Sequence, residues 1–140
     1  METTPSQAAV AAPLDDGERV FTWDGVEFRV DEKLARELVR DRAGARLFDE
    51  IVGGYLAAMP QVAEAIRADL MQWGDWFDPA VLGTGPQEIA ACLGPVRVHT
   101  VSRRWGTRLT YTEHRLDEDH LLDLEIAGAW ESIDEVVLDG

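Results

Sequence analysis

A chain of 140 residues with 27 acidic and 13 basic side chains and a net charge of −14 fits one domain that buries roughly two-thirds of the surface its unfolded form exposes. The charge argues against nucleic acid as a partner, because the field repels phosphates, and suits a basic protein instead. No run of about 18 apolar residues is present, which argues against a membrane span, and the single cysteine, Cys92, makes no internal disulfide.

Residues 1–18, "METTPSQAAVAAPLDDGE", are alanine-rich and lack a basic stretch, so they make a poor secretory signal. They are expected to be a flexible tail ahead of a single domain over 19–140, in a protein of the reduced cytoplasm. Twelve Arg against one Lys, with abundant Ala and Gly, is the usage of a GC-rich bacterial genome. In "RVFTWDGVEFRV", residues 19–30, Asp24-Gly25 sits between alternating apolar and polar residues, the mark of a two-residue hairpin. That register sets Trp23 against Val26 and Phe21 against Phe28 on one face, which should lie on a core.

Asp31 follows as a helix cap, with Glu32 favourable near the positive end. Leu34, Leu38 and Val39 recur at helical spacing, and Gly44 can stop the run. A second apolar stripe comprises Leu47, Phe48, Ile51, Val52, Tyr55, Leu56 and Met59. Gly53-Gly54 interrupts it and implies a kink or close packing. Pro60 suits the first turn of a third helix with Val62, Ile66 and Leu70 inward. That helix runs into "DLMQWGDWFDP", residues 69–79. There Trp73, Trp76 and Phe77 either plug the core or face a partner, since three exposed aromatics are costly in water. Pro86 opens a short helix that Gly94 can terminate.

After Pro95 the period changes to two, and four short strands follow. Val96, Val98, Leu109, Tyr111, Leu122, Leu124, Ile126, Val136 and Leu138 should point inward, and Arg97, Arg108, Asp123 and Glu125 to solvent. The expected fold is α+β: an N-terminal β-hairpin, three to four helices and a C-terminal antiparallel β-meander. The order leaves open whether the hairpin joins the meander's sheet. Charge is divided sharply. Residues 97–115 hold five arginines against Glu113 alone, while 117–140 hold nine acids and no Lys or Arg.

Catalytic signatures are missing. "EHRLDEDHLLD" fails the calcium loop, with Leu122 where the sixth position needs glycine and Gly128 where the twelfth needs Glu. His114 and His120 are expected on different strands, a poor zinc pair. No nucleophile elbow, P-loop or dinucleotide fingerprint occurs. No cofactor, metal ligand or catalytic residue is assigned, and Cys92 reads as a small buried hydrophobe.

The layout of "VFTWDGVEFRV", "CLGPVRVHTV", "GTRLTYTEH" and "LLDLEIAGAWESIDEVVLD" resembles small α+β bacterial domains of unknown function, some of them proposed immunity proteins of polymorphic toxin systems. The resemblance implies no catalytic or binding residues. Taken with the charge, it suggests a non-enzymatic acidic protein-binding module, an immunity-type inhibitor of a basic protein such as a toxin. The expected contact surface is Asp117, Glu118, Asp119, Asp123 and Glu125, with Trp76. Two other readings stand beside it: a ligand-binding or enzymatic pocket between helices and sheet, lined by Trp73, Tyr55 and Tyr111, and a structural homodimer subunit. Monomer and homodimer both remain open.

Overall fold

The computed structural model describes residues 3–72, 86–116 and 121–139. The hairpin of β2 (Glu18–Trp23) and β3 (Val26–Asp31) has the expected register, with Phe21 opposite Phe28 and Trp23 opposite Val26. Asp24 and Gly25 take φ of 51° and 79°, the paired left-handed positions of this turn type. Phe28 and Val30 are buried, and Phe21 stacks on Phe28 with ring centroids 5.6 Å apart.

The N-terminal segment departs from the flexible tail expected of it. Thr4 caps helix α1 (Pro5–Ala11) through a capping box closed by Gln7, with Pro5 at the first helical position. The Ser6 amide donates to Asp49 Oδ1 at 2.7 Å, and Ala9 is fully buried. Strand β1 (Leu14–Asp15) then pairs with β2 across a second Asp-Gly turn, Asp16-Gly17, with φ of 55° and 83°. Both signals were present in the sequence. "TPSQ" satisfies two orphan amides of a helix start, and "DDGE" repeats the hairpin signature seen in "WDGV".

Asp31 caps α2 (Glu32–Arg40), accepting from the Leu34 amide at 2.7 Å. Gly44 does not stop this helix. The chain breaks at Asp41 instead, whose carboxylate accepts from the Gly44 amide and caps α3 (Arg42–Gly53). Val39 is exposed, and Ala35 joins Leu34 and Leu38 in the core. The glycine pair separates two helices, because α4 (Tyr55–Gln72) starts directly after Gly54. A Cβ on Gly54 would lie 3.0 Å from the Glu50 carbonyl oxygen and 3.4 Å from Trp130 Cδ1, so the break and the close packing fall on one residue. Pro60, expected to begin a helix, lies inside α4, which omits one ladder bond there. Val62, Ile66 and Leu70 are fully buried, as their spacing predicts.

Helix α5 (Pro86–Ala91) leads through Gly94, at φ 70°, into β4 (Val96–Thr100). Strands β5 (Thr107–Tyr111), β6 (Leu121–Ala127) and β7 (Ser132–Asp139) complete an antiparallel meander. The hairpin joins it. Strands β3 and β4 pair in parallel, Phe28 against Val96, and make one seven-stranded sheet in sequence order. A parallel pair needs a long crossover, and α2 to α5 lie in it. The fold is α+β, as expected. Val96, Val98, Leu109, Tyr111, Leu122, Leu124 and Ile126 form the sheet side of the core against Leu47, Phe48, Ile51, Val62, Ile66 and Leu70 of the helices. Val136 is half-buried, and the side chain of Leu138 lies outside the described ones. No helix among the described residues is long and apolar enough to cross a membrane.

Candidate functional site

Strand alternation places Glu27, Arg29, Arg97, His99, Arg108, Thr110, Asp123 and Glu125 on the sheet face opposite the helices. The arginines there are held by acids. Arg97 makes a two-pronged contact with Glu18, at 2.6 and 2.9 Å. Arg29 bonds Glu27 at 2.8 Å and Glu113 at 3.2 Å. The Glu27 hydrogen bond, more than any other contact, raises the Arg29 pKa further. Arg108 meets Glu125 at 3.3 Å. Such half-exposed pairs each contribute at most about 1 kcal/mol, and the basic band stays on the surface, with Arg103, Arg104, Arg108 and Arg115 exposed.

The middle of this face holds a buried polar chain. The β4–β5 register shifts between Val98 and Thr100 and leaves His99 as the extra residue of a bulge, a device that re-aims a side chain. His99 Nε2 lies 2.7 Å from Thr110 Oγ1, and the Thr110 hydroxyl donates to Asp123 Oδ1 at 2.5 Å. Thr110 has one hydroxyl proton, which goes to Asp123, so Nε2 must carry the imidazole hydrogen. Burial, assisted by Arg97 and Arg108 and opposed by Asp123, moves the His99 pKa below its ordinary value. Beside this ring is a groove of about 250 Å³ lined by His99, Trp105, Thr107, Arg108 and Glu125, among others. Trp105 stands 80% exposed at its mouth, with the Arg104 guanidinium 4.7 Å over its ring.

The residues expected to meet a partner fare differently. Asp123, expected to face solvent, is only 9% exposed and accepts from Thr110. It is a correction: the neighbouring strands enclose a carboxylate that alternation alone places outward. Glu125 is half-exposed and engaged by Arg108. Asp117, Glu118, Asp119 and Trp76 lie outside the described residues, as do Trp73, Phe77 and His120. Sequence reasoning missed His99 with Thr110 and Asp123 as a unit, because they come from three strands. The one local hint was a polar residue at the middle of each.

Tyr55 and Tyr111, expected to line a pocket between helices and sheet, are both buried, with their hydroxyls 2.5 Å apart. Burial pushes both pKa values up. Trp130 seals the same region. Its ring meets Tyr55 edge-on at 5.8 Å, and its Nε1 donates at 2.8 Å to the Ile51 carbonyl near the end of α3, one of the carbonyls a helix end leaves unpaired. His114 is buried, and its Nδ1 accepts from the Leu116 amide. Cys92 is half-buried against the core. Among the described residues no three His, Cys, Asp or Glu side chains gather as a metal site. Compared with protein-family models, with curated proteins and with solved structures, the chain matches none.

Proposed function

We propose that this protein is a non-enzymatic acidic binding module for a basic protein, acting in the cytoplasm as an immunity-type inhibitor by steric occlusion. One observation carries the reading: acids outnumber Lys and Arg by 14, so carboxylates are left over even after every cation has found one. Arg19, Arg29, Arg97, Arg103 and Arg108 are each engaged by a glutamate. Asp134 and Glu135, on the outermost strand β7, stay exposed. A surplus of one sign steers an oppositely charged partner and raises its association rate.

Contact is assigned to the meander. Asp117, Glu118, Asp119 and Glu125 supply charge, with Trp76 as an aromatic anchor, while Asp123 is left out because it is enclosed. Trp105 is a second anchor of the type that interfaces favour. Arg103 reaches Glu131 at 3.6 Å, which ties the Trp105 loop to the turn leading into β7 and its exposed acids.

The test is kinetic. The protein captures its partner from host lysate, and association with the purified partner is followed from low salt to about 0.5 M, where screening is nearly complete beyond contact distance. The rate constant is expected to fall steeply. Salt-independent association, or a partner with no basic surface, defeats the proposal.

A further inference from the structure

We propose that the groove at the β4–β5 end of the sheet binds a small aromatic carboxylate, its acid group between Arg108 and His99 Nδ1 and its ring against Trp105. The groove shares Trp105 and Glu125 with the contact surface proposed above, but the inference is carried by the groove and does not rest on that reading.

The lining offers a group for each contact. His99 Nε2–H is committed to Thr110, and among the described residues Nδ1 has no hydrogen-bond partner. It is therefore the atom left for a ligand. Arg108 uses Nη2 on Glu125 at 3.3 Å, a long contact for a charged pair, which leaves the rest of its donor fork for a carboxylate. Trp105 offers an exposed ring, and Arg104 above it has no acid partner among the described residues. Glu125 is the one acid in the lining. Arg108 and the neighbouring Arg104 thus set two cations against Glu125 on the Trp105 side of the groove, on a chain that is anionic as a whole. A space of about 250 Å³ admits one ring and an acid group, and is smaller than the usual site for a drug-sized ligand.

Binding is coupled to a proton. The groups facing His99 are Arg97 on its own strand, Arg108 and Thr110 on β5, Asp123 and Glu125 on β6, and Asp31 on β3. Burial and the two arginines favour the neutral ring when the groove is empty. An anion set against Nδ1 reverses that balance, and a proton from solvent moves onto Nδ1. The ring then donates at both nitrogens, to the ligand through Nδ1 and to Thr110 through Nε2, with Asp123 behind it to offset the charge. One proton taken up per ligand makes binding tighter at low pH.

The experiment titrates sodium benzoate, and neutral benzamide as its isostere, into the full chain while the His99 imidazole and Trp105 indole signals are followed by nitrogen-15 NMR. Benzoate is expected to move both signals and benzamide neither. The benzoate Kd should weaken by about tenfold for each pH unit above the His99 midpoint, as a single linked proton requires. Arg108→Gln should weaken it by about tenfold or more, the scale of a lost charged hydrogen bond, with a thermal melt to show that the variant is folded. His99→Gln should abolish the pH dependence. Equal binding of benzoate and benzamide, a pH-independent Kd, no binding of benzoate, or an unchanged Kd in folded Arg108→Gln would each overturn the proposal.

Discussion

Tyr55 and Tyr111 form a hydroxyl pair sealed inside an apolar core, so removing one partner leaves the other buried and unsatisfied. Tyr111→Phe and Tyr55→Phe are each expected to cost about 1–3 kcal/mol, and the double variant clearly less than the sum. Urea unfolding of the four proteins measures the coupling, and strict additivity would count against it. The pair also sets an alkaline limit. Its folded pKa values lie above those of the unfolded chain, so above about pH 10 the unfolded state releases protons that the folded state retains. The stability from this pair is therefore full below that pH and is lost as pH rises past it. The double Phe variant should show a shallower alkaline decline, read from thermal melts across the pH range.

At the scale of elements, the α3–α4 junction shows two adjacent glycines under opposite demands. A Cβ added to Gly53 would meet nothing within 4 Å, whereas one on Gly54 would face the Glu50 carbonyl oxygen at 3.0 Å and Trp130 beyond it. Gly53→Ala should therefore stabilise the protein by up to about 1 kcal/mol through helix propensity and a stiffer unfolded chain. Gly54→Ala should destabilise by about 1 kcal/mol or more, because the atom it approaches is backbone and the interior is close-packed. Denaturant midpoints for the two variants test the difference in sign. The same junction shows how one side chain serves two elements: Trp130 occupies the space Gly54 leaves open and also bonds the Ile51 carbonyl. Its own backbone sits at φ 69°, an uncommon conformation for so large a residue, which these contacts hold in place.

For the whole molecule, charge is the dominant property. With 27 acids against 13 Lys and Arg, a charge of −14 remains even when every cation is paired, and self-repulsion weakens a compact state. Adding salt from about 10 mM to about 0.2 M should raise the thermal midpoint, because the Debye length contracts to less than the separation of most surface carboxylates. Differential scanning calorimetry at fixed pH checks this; a midpoint that falls with salt would mean that the attractive pairs outweigh the repulsion. The parallel β3–β4 pairing has a comparable reach. It turns a hairpin and a meander into one sheet, so contacts far apart in sequence must form together.

Local periodicity determined which face of each element is apolar. That is why the Asp24-Gly25 register, the Asp31 cap, the buried stripe of α4 and the inward residues of β4 to β6 were legible from sequence. Thr4-Pro5-Ser6-Gln7 and Asp16-Gly17 were legible too, and an alanine-rich composition hid them. What neighbours an element is not encoded in its own period. The joining of hairpin to meander, the docking of Trp130 against Gly54, the enclosure of Asp123 and the meeting of His99 with Thr110 depend on strands brought together from distant parts of the chain. Alternation could say that Asp123 leaves the core face; only the packed sheet decided that a threonine and a histidine would be waiting on the other side.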